Sequence, residues 1–284
     1  MLSNFIKIVV AKIYKIKTAI IFALFLVTTI LLLSSVFCHE LDGSDESKSN
    51  ISDELFSPHL ARLNSVKKMG DYIDSVYRAK YSGNFDTAKY VSLVSQTTKE
   101  RFYFGLSNYR IYENWIAFLS GKVMWSHMAS IVKPNDILKH SEGLCSQQTI
   151  VFMEILKHKG INVRSVGLGL KEGPGHFICE VHYDNSWRLH DVTKEPQWPR
   201  ISNDHESLNY YLNNRDSLYK VYEYRMSRDE YNKLLKNITY GEPNIFPAKN
   251  MMLFHKVSKI LTYILPILFL GMFLWNYKKY KNSL

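Results

Sequence analysis

The sequence predicts an α+β domain held between two membrane-spanning helices. Two patterns carry this expectation. A helix-like segment is followed by a β-hairpin in the middle of the chain, from Cys145 to Thr193, and a long uncharged apolar run lies near each terminus. Once both apolar ends are set aside, roughly 200 residues remain, enough for one domain with its own core.

The expected organisation runs as follows. Residues 1–18 form a basic cytoplasmic tail, 19–37 a transmembrane helix and 38–57 a linker. Residues 58–248 form an extracytoplasmic domain, 257–277 a second transmembrane helix and 278–284 a second basic tail. The run Ala19 to Phe37 holds 19 residues without a charge. At 1.5 Å per residue it spans about 30 Å, close to the hydrocarbon core of a bilayer. Lysines precede it and Glu40, Asp42, Asp45 and Glu46 follow it, which places the N-terminus in the cytoplasm. A cleaved signal peptide is the alternative. The apolar region is long for that, and Phe37 before Cys38 spoils both a small-residue cleavage site and a lipid-modified cysteine. Ile260 to Tyr277 is also uncharged, with Lys278, Lys279 and Lys281 beyond it, so the chain returns to the cytoplasm. The alternative is a hydrophobic C-terminal helix packed on the domain. Pro266 inside this run is expected to kink it.

The formal charge is +10, which invites a nucleic-acid reading. Seven of the lysines (Lys7, Lys12, Lys15, Lys17, Lys278, Lys279 and Lys281) flank the apolar runs instead, and no aromatic–basic module lies between them. No nucleic-acid partner is expected. Three cysteines without a CxxC make neither a disulfide framework nor a zinc ribbon.

After the polar linker His39 to Ser57, Ser57-Pro58 reads as a helix start, with Leu60, Leu63, Val66, Met69, Ile73, Val76 and Tyr77 at helical spacing. A second helix is expected from about Phe85 to Thr87, carrying Tyr90, Val91 and Val94. A third covers Tyr109 to Leu119. Together they are expected to form one core layer, with Trp115 and Trp125 as packing residues. Lys133 to Ser141 reads as a loop with at most one turn of helix. The next helix runs from Cys145 to Lys159 and stops at Gly160. Ile161 to Leu170 is β-like, and Lys171 to Gly175 is a turn.

His176 to Tyr183 alternates. Phe177, Cys179, Val181 and Tyr183 point to one face, and His176, Ile178, Glu180 and His182 to the other. Asp184-Asn185 is a two-residue turn, and Ser186 to Val192 returns as the partner strand. Glu206 to Tyr224 reads as helical, and Asn50 and Asn237 match glycosylation acceptors.

Three residues in this core carry chemistry. Cys145 opens a helix, where free backbone N–H groups and the helix dipole favour a thiolate. His176 opens one hairpin strand and Asp191 ends the other, so the turn brings both to the same end of the pair. An imidazole held by a carboxylate suits proton transfer to and from a cysteine nucleophile. The sequence pattern does not by itself join Cys145 to the other two. Cys179, on the face with Phe177 and Val181, is expected in the core. His176 and His182 share a face but sit about 20 Å apart along a strand, too far for one ion. No metal or cofactor is expected.

The stretch Gly143-Leu144-Cys145, Gly160-Ile161-Asn162-Val163-Arg164, Gly175-His176, Glu180-Val181, Trp187 and Asp191-Val192-Thr193 resembles the core of the transglutaminase-like superfamily, which has a papain-like layout. The resemblance covers about fifty residues directly. It implies that Cys145 is the nucleophile, His176 the base and Asp191 the orienting carboxylate. It further implies a catalytic helix packed on an antiparallel sheet. Many relatives carry proline where Val192 stands. Oxyanion donors in the family include the nucleophile's own N–H and often an upstream side chain, for which Gln96, Asn108 and Trp125 are candidates here. The implied activity is that of a membrane-anchored cysteine-dependent acyl transferase or amidohydrolase/peptidase acting on a peptide, protein or other amide substrate. The family also contains inactive scaffolds, so an interaction module in a membrane assembly, with membrane protein partners, is the alternative.

Overall fold

The computed structural model describes residues 2–37, 55–169, 175–193, 205–223 and 226–283. Most of the expected linker, with Asn50, and residues 171–174 of the expected turn lie outside them. In chain order the elements are α1 (Leu2–Phe37), α2 (Val66–Lys80), α3 (Thr87–Arg101), β1 (Tyr103–Phe104), α4 (Ile111–Val123), α5 (Pro134–Ile137), β2 (Glu142–Gly143) and α6 (Cys145–His158). They continue as β3 (Asn162–Leu168), β4 (His176–Tyr183), β5 (Ser186–His190), α7 (Leu208–Asn213), α8 (Arg215–Tyr222), α9 (Arg228–Leu234), β6 (Ile238–Tyr240) and α10 (Lys249–Asn282).

The chain divides into two compact units. One comprises α2, α3, α5 to α9 and all six strands. It is an α+β domain around a four-stranded antiparallel sheet of order β5-β4-β3-β6. The β4–β5 connection is the expected two-residue turn. Asp184 and Asn185 have φ of 49° and 56°, which residues of this type tolerate and which matches the strand twist. α6 packs on β3 and β4, backed by α2 and α3. On the other side of the sheet Val166, Leu168, Ile178 and Leu189 join Leu208, Tyr211, Leu218, Val221, Tyr222 and Tyr231 in one apolar cluster. Within the segment expected to be helical, Leu208–Asn213 and Arg215–Tyr222 thus supply a second helical layer. β6 was not expected; it pairs with β3 from Val166 to Leu168.

The first expected helix is broken. Pro58–Arg62 forms a 3-10 turn, Leu63 leaves helical geometry (φ −80°, ψ 63°), and α2 restarts behind Ser65, whose side chain caps Lys68 N–H. Leu60 and Leu63 are buried all the same.

The other unit holds α1, α4 and α10. α1 and α10 are each long and apolar enough to cross a membrane. Phe22 and Phe273 meet with ring centroids 5.0 Å apart. Lys15, Thr18 and Ala19 of α1 line a cleft with Tyr277 and Tyr280 of α10. The two helices therefore run antiparallel, with the chain termini at one end. Pro266 sits within α10, and the helix runs on past it. α4 departs from expectation, for it groups with these two helices and not with α2 and α3. Its regular part starts only after Asn114, which has non-helical φ −159° and ψ 82° and whose Oδ1 accepts from Ala117 N–H at 3.2 Å. Trp125 is 57% exposed and is not a packing residue.

Candidate active site

Cys145 is the first residue of α6, held in place by the chain just before and beside it. Gln147, in the third helical position, accepts from Leu144 N–H at 3.2 Å and Ser107 N–H at 3.0 Å. Its amide donates to the carbonyls of Ser107 (2.7 Å) and Ile131 (2.9 Å). One buried side chain thus satisfies four backbone groups and locks the helix start between two loops. Space is tight at Gly143 two residues earlier, where a Cβ would lie 3.1 Å from Gln148 Cγ and 3.4 Å from the Phe102 ring.

α6 is fastened to the sheet one turn later, where Thr149 Oγ1 donates to Phe177 O at 3.1 Å. That bond sets the start of the helix against the start of β4. There the Cys145 thiol comes under the influence of the His176 ring and of the Phe177 backbone. The register pairs Cys179 with His190, so Asp191 projects to the same face as His176 and sits diagonally across the hairpin from it. His176 Nε2 lies 2.5 Å from Asp191 Oδ2. His176 and Asp191 are thus held together, and Cys145 lies near enough for the His176 ring to act on its thiol. Cys179 is fully buried, with its sulfur directed at His190 O.

Asp191 is completely buried and accepts from four donors. Thr193 N–H (3.1 Å) and Thr193 Oγ1 (2.7 Å) hold Oδ1, while Tyr222 OH (2.8 Å) and His176 hold Oδ2. Lys99 Nζ in turn donates to Thr193 O at 3.0 Å. Burial opposes ionisation of Asp191. The His176 charge and the bonds from His176, Thr193 and Tyr222 outweigh it and hold the carboxyl below its ordinary range. Burial also works against charge on His176, but Asp191 and then Cys145 raise its pKa to about 10. For Cys145, burial disfavours the thiolate. The His176 hydrogen bond and charge and the Phe177 backbone bond reverse this and lower the pKa, against a smaller opposing effect of the Asp191 charge. Thiolate beside imidazolium is the direction in which both shifts point.

The other histidines have different surroundings. His190 stacks on His205 with centroids 4.1 Å apart and lies 3.2 Å from Tyr183 OH; burial lowers its pKa to about 3. His182 packs edge-on to Trp187. Among the described residues no group of three His, Cys, Asp or Glu could hold a metal ion.

Of the side chains considered as oxyanion donors, Gln96 lies on the exposed face of α3 and donates to Glu100 at 2.8 Å. Asn108 and Trp125 belong to the unit with the long apolar helices. The site also contains residues that the sequence did not single out. Tyr222 comes from the second helical layer, and no local motif marks it. Gln147 was findable, since a glutamine three residues after a helix cap is a capping pattern.

No protein-family model matches the chain, and no curated protein matches it. A solved structure described as "Crystal structure of a TGase" aligns at 16% identity with a TM-score of 0.29, over 57% of this chain and 37% of that one. The chain spans little more than a third of that structure's length, and a similarity at this level carries no argument about fold or activity.

Proposed function

We propose that this chain is a membrane-tethered, cysteine-dependent acyl transferase or amidohydrolase/peptidase, with a transglutaminase-like, papain-like core and a Cys145-His176-Asp191 triad. The observation that supports it most is the His176 ring, held at 2.5 Å by the buried Asp191 carboxylate and acting on the Cys145 thiol at the start of α6. In the proposed reaction the Cys145 thiolate attacks a peptide or amide carbonyl carbon. A C–S bond forms and the carbonyl π pair moves onto oxygen. The backbone N–H of Cys145, at the first position of α6 and without an intrahelical acceptor, stabilises that oxyanion. His176 passes its proton to the leaving nitrogen, the C–N bond breaks, and a thioester remains. His176 then takes a proton from water or an amine, whose attack releases the acid or the new amide. Asp191 stays ionised throughout and fixes the ring. The scheme needs no cofactor.

The uncharged runs and their flanking lysines support a tether with both ends in the cytoplasm and the catalytic domain on the other side of the membrane. Substrates are then peptide, protein or other amide groups presented near the bilayer. The test is trapping. The full-length protein is treated with a broad acyl-donor library, and intact mass is used to find a thioester. Adducts on Cys145 that are absent from Cys145→Ala support the scheme. No adduct from any donor, with an unaltered cellular phenotype for Cys145→Ala at matched protein level, favours the scaffold instead.

A further inference from the structure

α4 lies outside the α+β domain and ends in an apolar tip that is exposed among the described residues. Val123, Met124 and Trp125 are consecutive and 82%, 75% and 57% exposed. Leu119 and Ile111, each about 40% exposed, lie on the same helix. A run of large apolar side chains at a water-facing tip is costly unless another phase takes it up.

The position of α4 on the two long helices identifies that phase. Phe22 and Phe273 face each other across the antiparallel pair. Fifteen residues on from Phe22 lies Phe37, and fifteen residues back from Phe273 lies Ser258. Each is therefore about 22 Å from that contact at 1.5 Å per residue. Phe37 and Ser258 are at one level, and it is the level where the uncharged run of α1 ends. Asn114, at the start of the regular part of α4, donates to Ser258 Oγ at 2.8 Å. Beyond the tip, Met128 O lies 3.0 Å from His255 Nε2, and the Tyr109 ring meets His255 edge-on. Both ends of the 109–128 excursion are thus fastened to α10 between His255 and Ser258, at the membrane boundary. The polar residues Arg110, Glu113 and Asn114 gather at its start, and the apolar ones follow. Lys122, with its amine 5.7 Å from the Phe118 ring, adds a cation beside the apolar tip. An apolar tip with an adjacent tryptophan and lysine is the side-chain set of a bilayer interface.

We propose that α4 and its tip Val123–Trp125 enter the extracytoplasmic leaflet as a non-spanning third contact, with acyl chains around Val123, Met124 and Trp125 and Lys122 at the phosphate level. The proposal rests on the reading that α1 and α10 cross the bilayer. Its consequence is that residues 108–130, flanked in the chain on both sides by parts of the α+β domain, are a further point at which the chain meets the membrane.

The test is photo-crosslinking of the full-length protein in phosphatidylcholine–phosphatidylglycerol vesicles. A diazirine amino acid replaces Met124, or Leu268 in α10, or Phe85 in the α+β domain; the last two are both about 50% exposed. Intact mass then reads phospholipid adducts. The expected result is a yield at position 124 comparable to that at 268, and none at 85. Adducts at 268 without adducts at 124 would overturn the proposal while leaving the spans intact. Crosslinks from 124 to protein would overturn it in favour of a protein partner. Adducts at neither position would remove the spanning reading and this inference with it.

Discussion

The Tyr222 hydroxyl donates at 2.8 Å to Asp191 Oδ2, the oxygen that also lies 2.5 Å from His176 Nε2. A side chain from the second helical layer thereby helps keep ionised a carboxylate that has no access to water. A hydrogen bond to a charged group contributes about 1.5–3 kcal/mol, roughly twice a neutral one. Tyr222→Phe is therefore expected to destabilise the domain by about that amount. Tyr211→Phe, which removes the hydroxyl oxygen that accepts from the neutral Glu206 N–H at 3.3 Å, is expected to cost less. Pulse proteolysis of both proteins checks the order. Equal losses would mean that Tyr222 does not act through the carboxylate charge.

The same pair sets a pH window. His176 has its pKa raised to about 10 from about 6.5, so its contribution is full below about pH 6.5 and is lost as pH rises through about 10. Asp191 is depressed, so its contribution is full above about pH 3.9 and is lost as pH falls through the lower folded value. Both are full between about pH 4 and pH 6.5. The lowered thiol pKa of Cys145 acts oppositely in alkali, so the comparison is made in the Cys145→Ala protein. There, stability is expected to decline above about pH 6.5, and Asp191→Asn is expected to flatten that decline. Denaturant midpoints measured across pH check it, and an unchanged slope would contradict the coupling.

Gln147 is expected to matter as much as its position suggests. Gln147→Leu leaves the Ser107 N–H and the Ser107 and Ile131 carbonyls without this partner in a buried place. At about 1–3 kcal/mol for a group left unsatisfied, the loss is expected to exceed that from Gln96→Leu on the exposed face of α3. Alkylation of Cys145 should slow as well, because the helix start that carries it loosens. The two effects are read by pulse proteolysis and by iodoacetamide kinetics.

How far these features were legible in the sequence depends on how local their cause is. The strand alternation from His176 and the Asp184-Asn185 turn are local, and they place His176 and Asp191 together without any long-range knowledge. Cys145 at a helix start is local too. Its approach to His176 depends on how α6 lies on the sheet, a tertiary matter fixed by contacts such as Thr149 to Phe177 O. Tyr222 was out of reach because its segment has no clean period, and its partner is 31 residues away. α4 misled for another reason. An apolar helix looks the same to periodicity whether it covers a protein core or packs beside membrane helices, and only its contacts separate the two. The early break at Leu63 hid inside an otherwise unbroken helical spacing, because Leu60 and Leu63 are buried on either side of it.

The central claim is that His176, held by Asp191, activates the Cys145 thiol. The rate of Cys145 alkylation against pH, in the full-length detergent-solubilised protein, tests it without knowledge of the substrate. The account predicts an inflection below the ordinary thiol value of about 8.5, a return to at least that value in His176→Ala, and no reaction of buried Cys179 until the protein unfolds. An ordinary titration of Cys145 in the unaltered protein, unchanged when His176 is removed, would contradict it.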